Sequence, residues 1–216
     1  MGDRTTPDYG SRDVPRFEAT LDESRGKGRA TLLVRRVRYL NRLFDRRPGV
    51  QAVGFKLMYL QASAHTGVVP YLAVRRARFV HLVRTNALDQ IVSYEAARAR
   101  NVFRARRGDV VPAVTVRLDA PALPARLESM ESEIAQARRT LARYRLPVLE
   151  VVYEHLAEAT EDELARVVSF LGVEPTDWQA ESSLVGANRV PRDELIENID
   201  EVAAALAGTR FAWMLD

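Results

Sequence analysis

The stretch RARFVHLVRTNALDQIVSYEAAR, residues 76–98, decides the fold class of this chain. Its apolar run is typical of a buried strand, which we predict over 77–84 and which ends in Arg84. Asn86 follows as a helix cap, and apolar residues recur at helical spacing from there to about residue 105. A strand that runs directly into a helix predicts a strand–helix–strand unit with a parallel sheet.

Three more apolar runs predict further strands. They are VQAVGFKLMYL at 50–60, AVTVRL at 113–118 and LPVLEVVY at 146–153. All four predicted strands are apolar on both faces, as expected of a parallel sheet that helices cover on each side. We therefore predict an α/β fold of three layers, in which a parallel sheet of about four or five strands is flanked by helices.

The segments between these runs predict helices. They are a helix from Ala30 that Pro48-Gly49 stops, a short helix or connector over 67–76, a long helix over 123–145, a helix from Thr160 to Gly172, and a last helix from near Asp193 to Gly208. We expect Thr160 to cap its helix, because Glu163 follows three residues later as in a capping box.

With 216 residues, the chain has the size of one α/β domain. We expect residues 29–216 to form that domain and the polar residues 1–28 to be a flexible lead-in. No apolar run approaches the roughly 18 residues that a membrane span needs, and the first residues lack the apolar core of a secretory signal. We therefore expect a cytoplasmic protein without a membrane span.

The side-chain inventory excludes several kinds of site. The chain has no cysteine, which excludes disulfides, thiolate nucleophiles and zinc–sulfur sites. His65, His81 and His155 lack the paired spacing of metal ligands, so we predict no metal site. The 32 basic and 29 acidic residues are read as intermixed along the chain, which permits a phosphorylated ligand and predicts no nucleic-acid partner.

Polar residues stand where the predicted strands end, and ligands of parallel sheets bind at that edge. Arg84 lies there beside a helix N-terminus, which itself favours anions, and a guanidinium can bind phosphate through two hydrogen bonds. The alternative is that Arg84 pairs with a surface carboxylate and that Ser93, in the following helix, is a small packing residue. Tyr153 and Glu154 end another strand, and we favour a helix-capping role for Glu154.

Four segments together resemble the PAPS-dependent sulfotransferases, in particular their bacterial carbohydrate-type branch (PAPS is 3′-phosphoadenosine 5′-phosphosulfate). Residues 76–98 are similar to the family's 3′-phosphate-binding segment, in which a strand ends in Arg, an Asn or Asp follows, and a Ser lies in the next helix. Similar in order and spacing are VGFKLMYLQ at 53–61, LPVLEVVYEHL at 146–156 followed by FLGVEP at 170–175, and ANRVPRDELIENIDEVAAALAGTRFAWML at 187–215.

The resemblance implies a P-loop-like fold and a sulfotransferase. Such an enzyme transfers a sulfonyl group from PAPS to a hydroxyl of a carbohydrate, a glycolipid or a small metabolite, without a metal. Matched to the family pattern, Arg84 and Ser93 would bind the 3′-phosphate of PAPS. Arg189 and Arg192 would lie in the late loop over the nucleotide.

Two residues are candidates for catalysis. Lys56 stands in an apolar run of a chain that otherwise uses arginine, so it either stabilises a sulfate oxygen or packs its stem while its ammonium group reaches solvent. His65 would lie near the acceptor according to the resemblance, and an imidazole that titrates near neutral pH suits a general base.

The family's loop for the 5′-phosphosulfate reads roughly R/K-S-G-[ST]-[ST], and we find no counterpart to it. The nearest string is RGKGRATLL, residues 25–33, so the chain is expected to be N-terminally truncated relative to the family. Three explanations remain open. The gene start is misplaced; the protein is a catalytically incomplete homologue that binds nucleotide or a protein partner; or a second chain, as in a homodimer, completes the site.

Overall fold

The computed structural model describes residues 29–45, 48–103, 105–106, 109–174, 184–185 and 192–215. The lead-in predicted over 1–28 therefore lies outside the described residues. The chain divides into two compact units, Met1–Ala77 and Arg78–Asp216. One domain over 29–216 stays a prediction.

The described part of the first unit is helical. Its elements are α1 (Arg29–Leu43), α2 (Tyr59–Ala64) and α3 (Val68–Val74). The helices α1 and α3 pack together, and the Tyr71 hydroxyl of α3 donates a hydrogen bond to Asn41 Oδ1 of α1 at 2.7 Å. Leu40 on α1 and Leu72 on α3 are buried, as the helical spacing of apolar residues predicts.

The strand predicted over 50–60 is wrong. Residues 50–58 have no regular secondary structure, and α2 begins at Tyr59. The Gln61 side chain accepts a hydrogen bond from the Met58 backbone N–H at 3.0 Å, which favours a helix start where the apolar run suggested a continuing strand. A strand also needs a neighbour for its backbone groups, and residues 50–58 form no ladder with any described strand.

The second unit contains the predicted strand–helix–strand core. Its elements are β1 (Phe79–Val83), α4 (Ala87–Ala99), β2 (Ala105–Arg106), α5 (Leu123–Arg143), β3 (Val148–Val152), α6 (Tyr153–Glu158), α7 (Thr160–Leu171), β4 (Leu184–Val185), α8 (Arg192–Leu195), α9 (Ile199–Leu206) and a 3₁₀ turn at Ala212–Leu215. Strands β1 and β3 are parallel, with Phe79 opposite Val148 and Val83 opposite Val152. Strands β2 and β4 form a separate antiparallel pair. The strands predicted over 77–84 and 146–153 and the long helix over 123–145 are thus confirmed.

The α/β class is confirmed, but among the described residues the parallel sheet has two strands. The strand predicted over 113–118 is wrong, since the pairing of this segment within the described ranges is a single parallel bridge, from Val116 to Ile196. The physical reason lies in Asn198, whose side chain accepts from the Leu118 N–H and donates to the Leu118 carbonyl, both at 3.0 Å. The Asn198 amide therefore occupies the backbone groups of Leu118 that a second strand would bind, and the pairing ends after one bridge.

The predictions for the helix from Thr160 and for the last helix are each wrong in one respect. Thr160 does not cap α7, because its hydroxyl donates to the Leu156 carbonyl of the preceding α6 at 2.7 Å. Gly172 does end α7, in the left-handed conformation at φ 64° that glycine tolerates best. The single last helix is instead two helices, α8 and α9, which the buried Asn198 separates.

One apolar cluster forms the core around α4 in the second unit. Its members come from α4, residues 116–120, α5, residues 195–196, α9 and residues 211–214, and the most deeply buried include Leu88, Ile91, Leu127, Val202, Leu206, Phe211 and Met214. This packing fixes the C-terminal turn against the start of α4, where β1 also ends. No helix among the described residues is both long and apolar enough to cross a membrane.

Candidate anion-binding site

Arg84 is the first residue after β1, and Tyr153 is the first residue after β3. Because Val83 and Val152 are paired across the sheet, the chain leaves both strands at the same edge. The Arg84 guanidinium lies over the Tyr153 ring, with Cζ 4.8 Å from the ring centroid. The sheet thereby brings together two residues that stand about 70 positions apart in the chain.

The Arg84 guanidinium has carboxylate neighbours but no acceptor at hydrogen-bond distance among the residues that the structure describes. Its Nη2 lies 3.7 Å from Asp89 Oδ2, and its Nε lies 3.9 Å from Glu154 Oε1. Both distances exceed those of a hydrogen bond. The Nε atom is buried and has no hydrogen-bond partner within the described part of the chain. Since buried donors are normally satisfied, this atom fits a further acceptor such as a phosphate oxygen.

Glu154 fixes the connection between β1 and α4. Its carboxylate accepts hydrogen bonds from the backbone N–H of Thr85 at 3.1 Å and from that of Asn86 at 3.2 Å. Burial alone would raise the pKa of Glu154, but these backbone hydrogen bonds hold it below its ordinary value. Glu154 is therefore an ionised carboxylate that accepts from the N–H groups just ahead of α4. It differs from the predicted helix cap, because the side chain that caps α4 is that of Asn86.

Arg192 reaches the same helix start from α8. Its Nε donates to Asp89 Oδ1 at 2.9 Å, and its Nη2 lies 2.9 Å from the same oxygen. Its Nη1 donates to the Met214 carbonyl, which also accepts from Asn86 Nδ2 at 2.9 Å. The three nitrogens of Arg192 are thus engaged by the protein itself, whereas Arg84 keeps a donor that no described residue uses.

Ser93 and Arg189 are the remaining predicted nucleotide ligands, and the structure describes only Ser93. Ser93 is half-buried on α4, four residues after Asp89, so the two lie on the same side of the helix. Arg189 lies outside the described residues. The assignment of Arg84, Ser93, Arg189 and Arg192 to a nucleotide stays a prediction.

Both catalytic candidates belong to the first compact unit. Lys56 is exposed in the irregular segment 50–58. His65 directly follows α2 and is half-buried, and burial, followed by the positive charge of Arg36, lowers its pKa. The lowered pKa favours the neutral form of His65 at pH 7. The catalytic roles of Lys56 and His65 stay predictions.

His81 is a hydrogen-bonded core residue, as its position in an apolar run suggests. It is buried, and its Nδ1 lies 3.2 Å from Oε2 of Glu150, its register partner on β3. Arg138 donates to both Glu150 oxygens, at 2.8 and 2.6 Å. Within the described ranges, no group of three or more His, Asp or Glu side chains could hold a metal ion.

Sequence reasoning missed Asp89 and the Met214 carbonyl, although both shape the site. Asp89 joins Arg84 to Arg192, and the Met214 carbonyl joins Arg192 to the helix-capping Asn86. An acidic residue in the first helical turn is ordinary, so Asp89 carries no distinctive signal. A backbone carbonyl carries none at all.

The comparisons with known proteins give one match. The model of the Stf0 sulphotransferase family matches residues 28–194, which is well over half of the chain. No curated protein and no solved structure matches the chain. The matched range includes β1, α4 and β3, and with them Arg84, Ser93 and Arg192. The resemblance to sulfotransferases is therefore confirmed, and the chain belongs to the Stf0 sulphotransferase family.

Proposed function

We propose that this protein transfers a sulfonyl group from PAPS to a hydroxyl of a carbohydrate, a glycolipid or a small metabolite. Membership of the family supports sulfonyl transfer in general. The choice of PAPS rests on one observation, the buried Arg84 Nε beside the start of α4, for which the described residues supply no acceptor. A 3′-phosphate oxygen is the acceptor that we propose for it.

The charges around Arg84 support our proposal that this arginine exchanges its carboxylate neighbours for a phosphate. Asp89 and Glu154 balance Arg84 and Arg192, so the cluster is neutral without a ligand. Arg192 already neutralises Asp89 through close contacts, whereas the ion pairs of Arg84 are long. A phosphate would therefore replace weak contacts of Arg84 with charged hydrogen bonds and leave Asp89 paired.

Ser93 is the second proposed ligand of the 3′-phosphate, and Arg192 holds the site rather than the nucleotide. Because Glu154 already uses the N–H groups of Thr85 and Asn86, side chains have to supply most of the contacts to the anion. When bound, PAPS would supply the activated sulfonyl group. In this transfer the acceptor oxygen would form a bond to sulfur, the bond from sulfur to the donor's phosphate oxygen would break, and the acceptor's proton would pass to the base that we propose, His65.

We retain His65 as the proposed base and Lys56 as the proposed partner of a sulfate oxygen. A neutral imidazole is the form that can accept a proton, and the lowered pKa of His65 favours that form at pH 7. The exposed ammonium group of Lys56 can carry its positive charge without the cost of burial.

The number of strands in the parallel sheet and the cellular location of the protein are also proposals. We infer that β1 and β3 belong to a P-loop-like parallel sheet of about four or five strands. Parallel strands are usually covered on both faces, yet Val80 and Leu82 on β1 and Val148 on β3 are exposed. The proposed location is the cytoplasm.

Calorimetric titration with two nucleotides tests the 3′-phosphate site. Adenosine 3′,5′-bisphosphate should bind on the order of tenfold to a hundredfold more tightly than adenosine 5′-phosphate, since charged hydrogen bonds contribute about 1.5–3 kcal/mol. Arg84→Ala should remove this preference. Arg98→Ala, on the exposed side of the same helix, is the matched control and should keep it. Equal affinity for the two nucleotides in the unaltered chain would overturn the assignment.

A turnover assay separates an enzyme from a homologue that only binds nucleotide. Release of adenosine 3′,5′-bisphosphate from PAPS, measured with a panel of sugars, glycolipids and phenols, identifies the acceptor class. Nucleotide binding that depends on Arg84, without release in the presence of any acceptor, would favour the catalytically incomplete homologue.

A further inference from the structure

The net charge of the chain is divided unequally between its two compact units. The unit Met1–Ala77 carries 15 of the 32 basic residues and seven of the 29 acidic residues, and its residues 29–77 carry ten basic residues and a single acidic one, Asp45. The unit Arg78–Asp216 carries 17 basic and 22 acidic residues. The interpretation of arginine as evenly mixed with acidic residues is therefore wrong for the first unit, whose excess of positive charge the total of +3 conceals.

The same unit exposes many apolar side chains. They are Leu33, Val34, Phe55, Met58, Leu60 and Val74. Leu60 is 81% exposed and Val74 is 84% exposed. Single exposed apolar residues are ordinary, but their coincidence with so strong a positive charge defines a surface with a particular chemistry.

Two neighbouring helices carry both features together. On α1, Val34, Arg38 and Arg42 are exposed and spaced four residues apart, so they lie on one face. At the end of α3, Val74, Arg75 and Arg76 are consecutive and exposed. We call these six residues the basic–apolar surface.

The Tyr71–Asn41 hydrogen bond joins these two parts of the basic–apolar surface. Asn41 is three residues after Arg38 and directly precedes Arg42, while Tyr71 lies three residues before Val74. None of the four arginines of the surface has an ion-pair partner in the part of the chain that the structure describes. Their charges are consequently available to an external anion.

We propose that the basic–apolar surface binds anionic lipid headgroups at a membrane surface. Arginines near an anionic leaflet are attracted by about 1 kcal/mol each, and exposed aliphatic side chains gain free energy on entering the interface. Attachment of this kind requires no membrane-spanning helix. The lipid surface is favoured over RNA, because the exposed apolar members of the surface are valines, whereas bases stack on aromatic side chains. The proposal does not rest on Arg84 or on sulfonyl transfer.

Vesicle sedimentation with the full chain tests the charged part of this proposal. The chain should bind vesicles that mix phosphatidylglycerol with phosphatidylcholine, should not bind phosphatidylcholine alone, and should dissociate as salt is raised. Arg38→Gln with Arg42→Gln should weaken binding at least about tenfold, according to the attraction per arginine. Arg139→Gln with Arg143→Gln on α5 removes the same charge from exposed positions of the second unit and should leave binding unchanged.

The apolar part is tested with a second pair of variants. Val74→Ser should weaken vesicle binding several-fold, whereas Val110→Ser, at a side chain that is 94% exposed in the second unit, should not. Single-stranded RNA of mixed sequence is the competing ligand. Tighter binding to RNA than to the anionic vesicles, insensitive to Val74→Ser, would overturn the proposal. Equal weakening by the α1 and α5 arginine pairs would overturn it as well.

Discussion

The Arg84 guanidinium lies 3.7 Å from the carboxylate of Asp89, beyond hydrogen-bond distance. Arg192 binds the same carboxylate at 2.9 Å. Asp89 therefore serves Arg192 as a close partner and Arg84 only as a nearby negative charge. This inequality makes Arg84 the arginine that can change partners when an anion arrives.

Asp89→Asn should raise the affinity for adenosine 3′,5′-bisphosphate a few-fold. The variant removes a negative charge beside Arg84, while the amide oxygen can still accept from Arg192 Nε. Calorimetry gives the affinity, and Glu128→Gln, an exposed change of the same charge on α5, is the control. A loss of affinity of more than tenfold would mean instead that Asp89 is needed to position Arg84.

Tyr153 should act on the nucleotide through its ring and not through its hydroxyl. The ring lies 4.8 Å below the Arg84 guanidinium, so Tyr153→Leu should lower the affinity for adenosine 3′,5′-bisphosphate a few-fold by loosening that group. Tyr153→Phe keeps the ring and should bind normally. The idea fails if both variants bind equally, whether both are weakened or both are normal.

Glu154 should stabilise the folded protein in a pH-dependent way. Because its folded pKa is lowered, its contribution is complete above the unfolded value of about 4.3 and is lost as the pH falls through the folded pKa. At pH 7, Glu154→Ala should lower the free energy of unfolding by about 1–3 kcal/mol, because two N–H groups lose their acceptor.

Urea titrations at pH 7 and near pH 3 measure this difference, with Glu158→Ala on the same helix as the control. The gap between the unaltered chain and Glu154→Ala should narrow at the lower pH. A gap that is the same at both pH values would show that the charge of Glu154 does not contribute.

Asn198→Ala should be the most destabilising of these changes. Its buried side chain satisfies both backbone groups of Leu118, and its loss should cost about 2–4 kcal/mol. Thermal or urea unfolding measures the cost, and Gln90→Ala on the exposed side of α4 should be near neutral. A cost below about 0.5 kcal/mol would indicate that water replaces the amide.

Elements that depend on interactions between neighbours in the sequence were predicted correctly, whereas elements that depend on distant partners were not. The unit from β1 to α4 was predictable, because an apolar run, the Asn86 cap and an amphipathic helix follow one another locally. The strands predicted over 50–60 and 113–118 were not found, because pairing depends on distant partners. At 113–118 the partner is a side chain, that of Asn198, which no periodicity reveals.

The site shows the same division. Arg84 and Glu154 were inferred as site residues from their places at strand ends, where the fold itself brings residues together, although Glu154 binds the N–H groups ahead of α4 and does not cap a helix. Asp89 and the Met214 carbonyl were not predicted, since their roles come from the packing of the C-terminal turn against α4. The uneven charge was present in the sequence, but it became meaningful only once the chain was divided into two units.

The amide of Asn198 has one more consequence, for association between molecules. A strand edge with unpaired N–H and carbonyl groups is a template on which another chain can aggregate. At Leu118 both groups are already occupied by the Asn198 side chain. The amide that ends the pairing after one bridge thus leaves neither backbone group of Leu118 for a strand of another molecule.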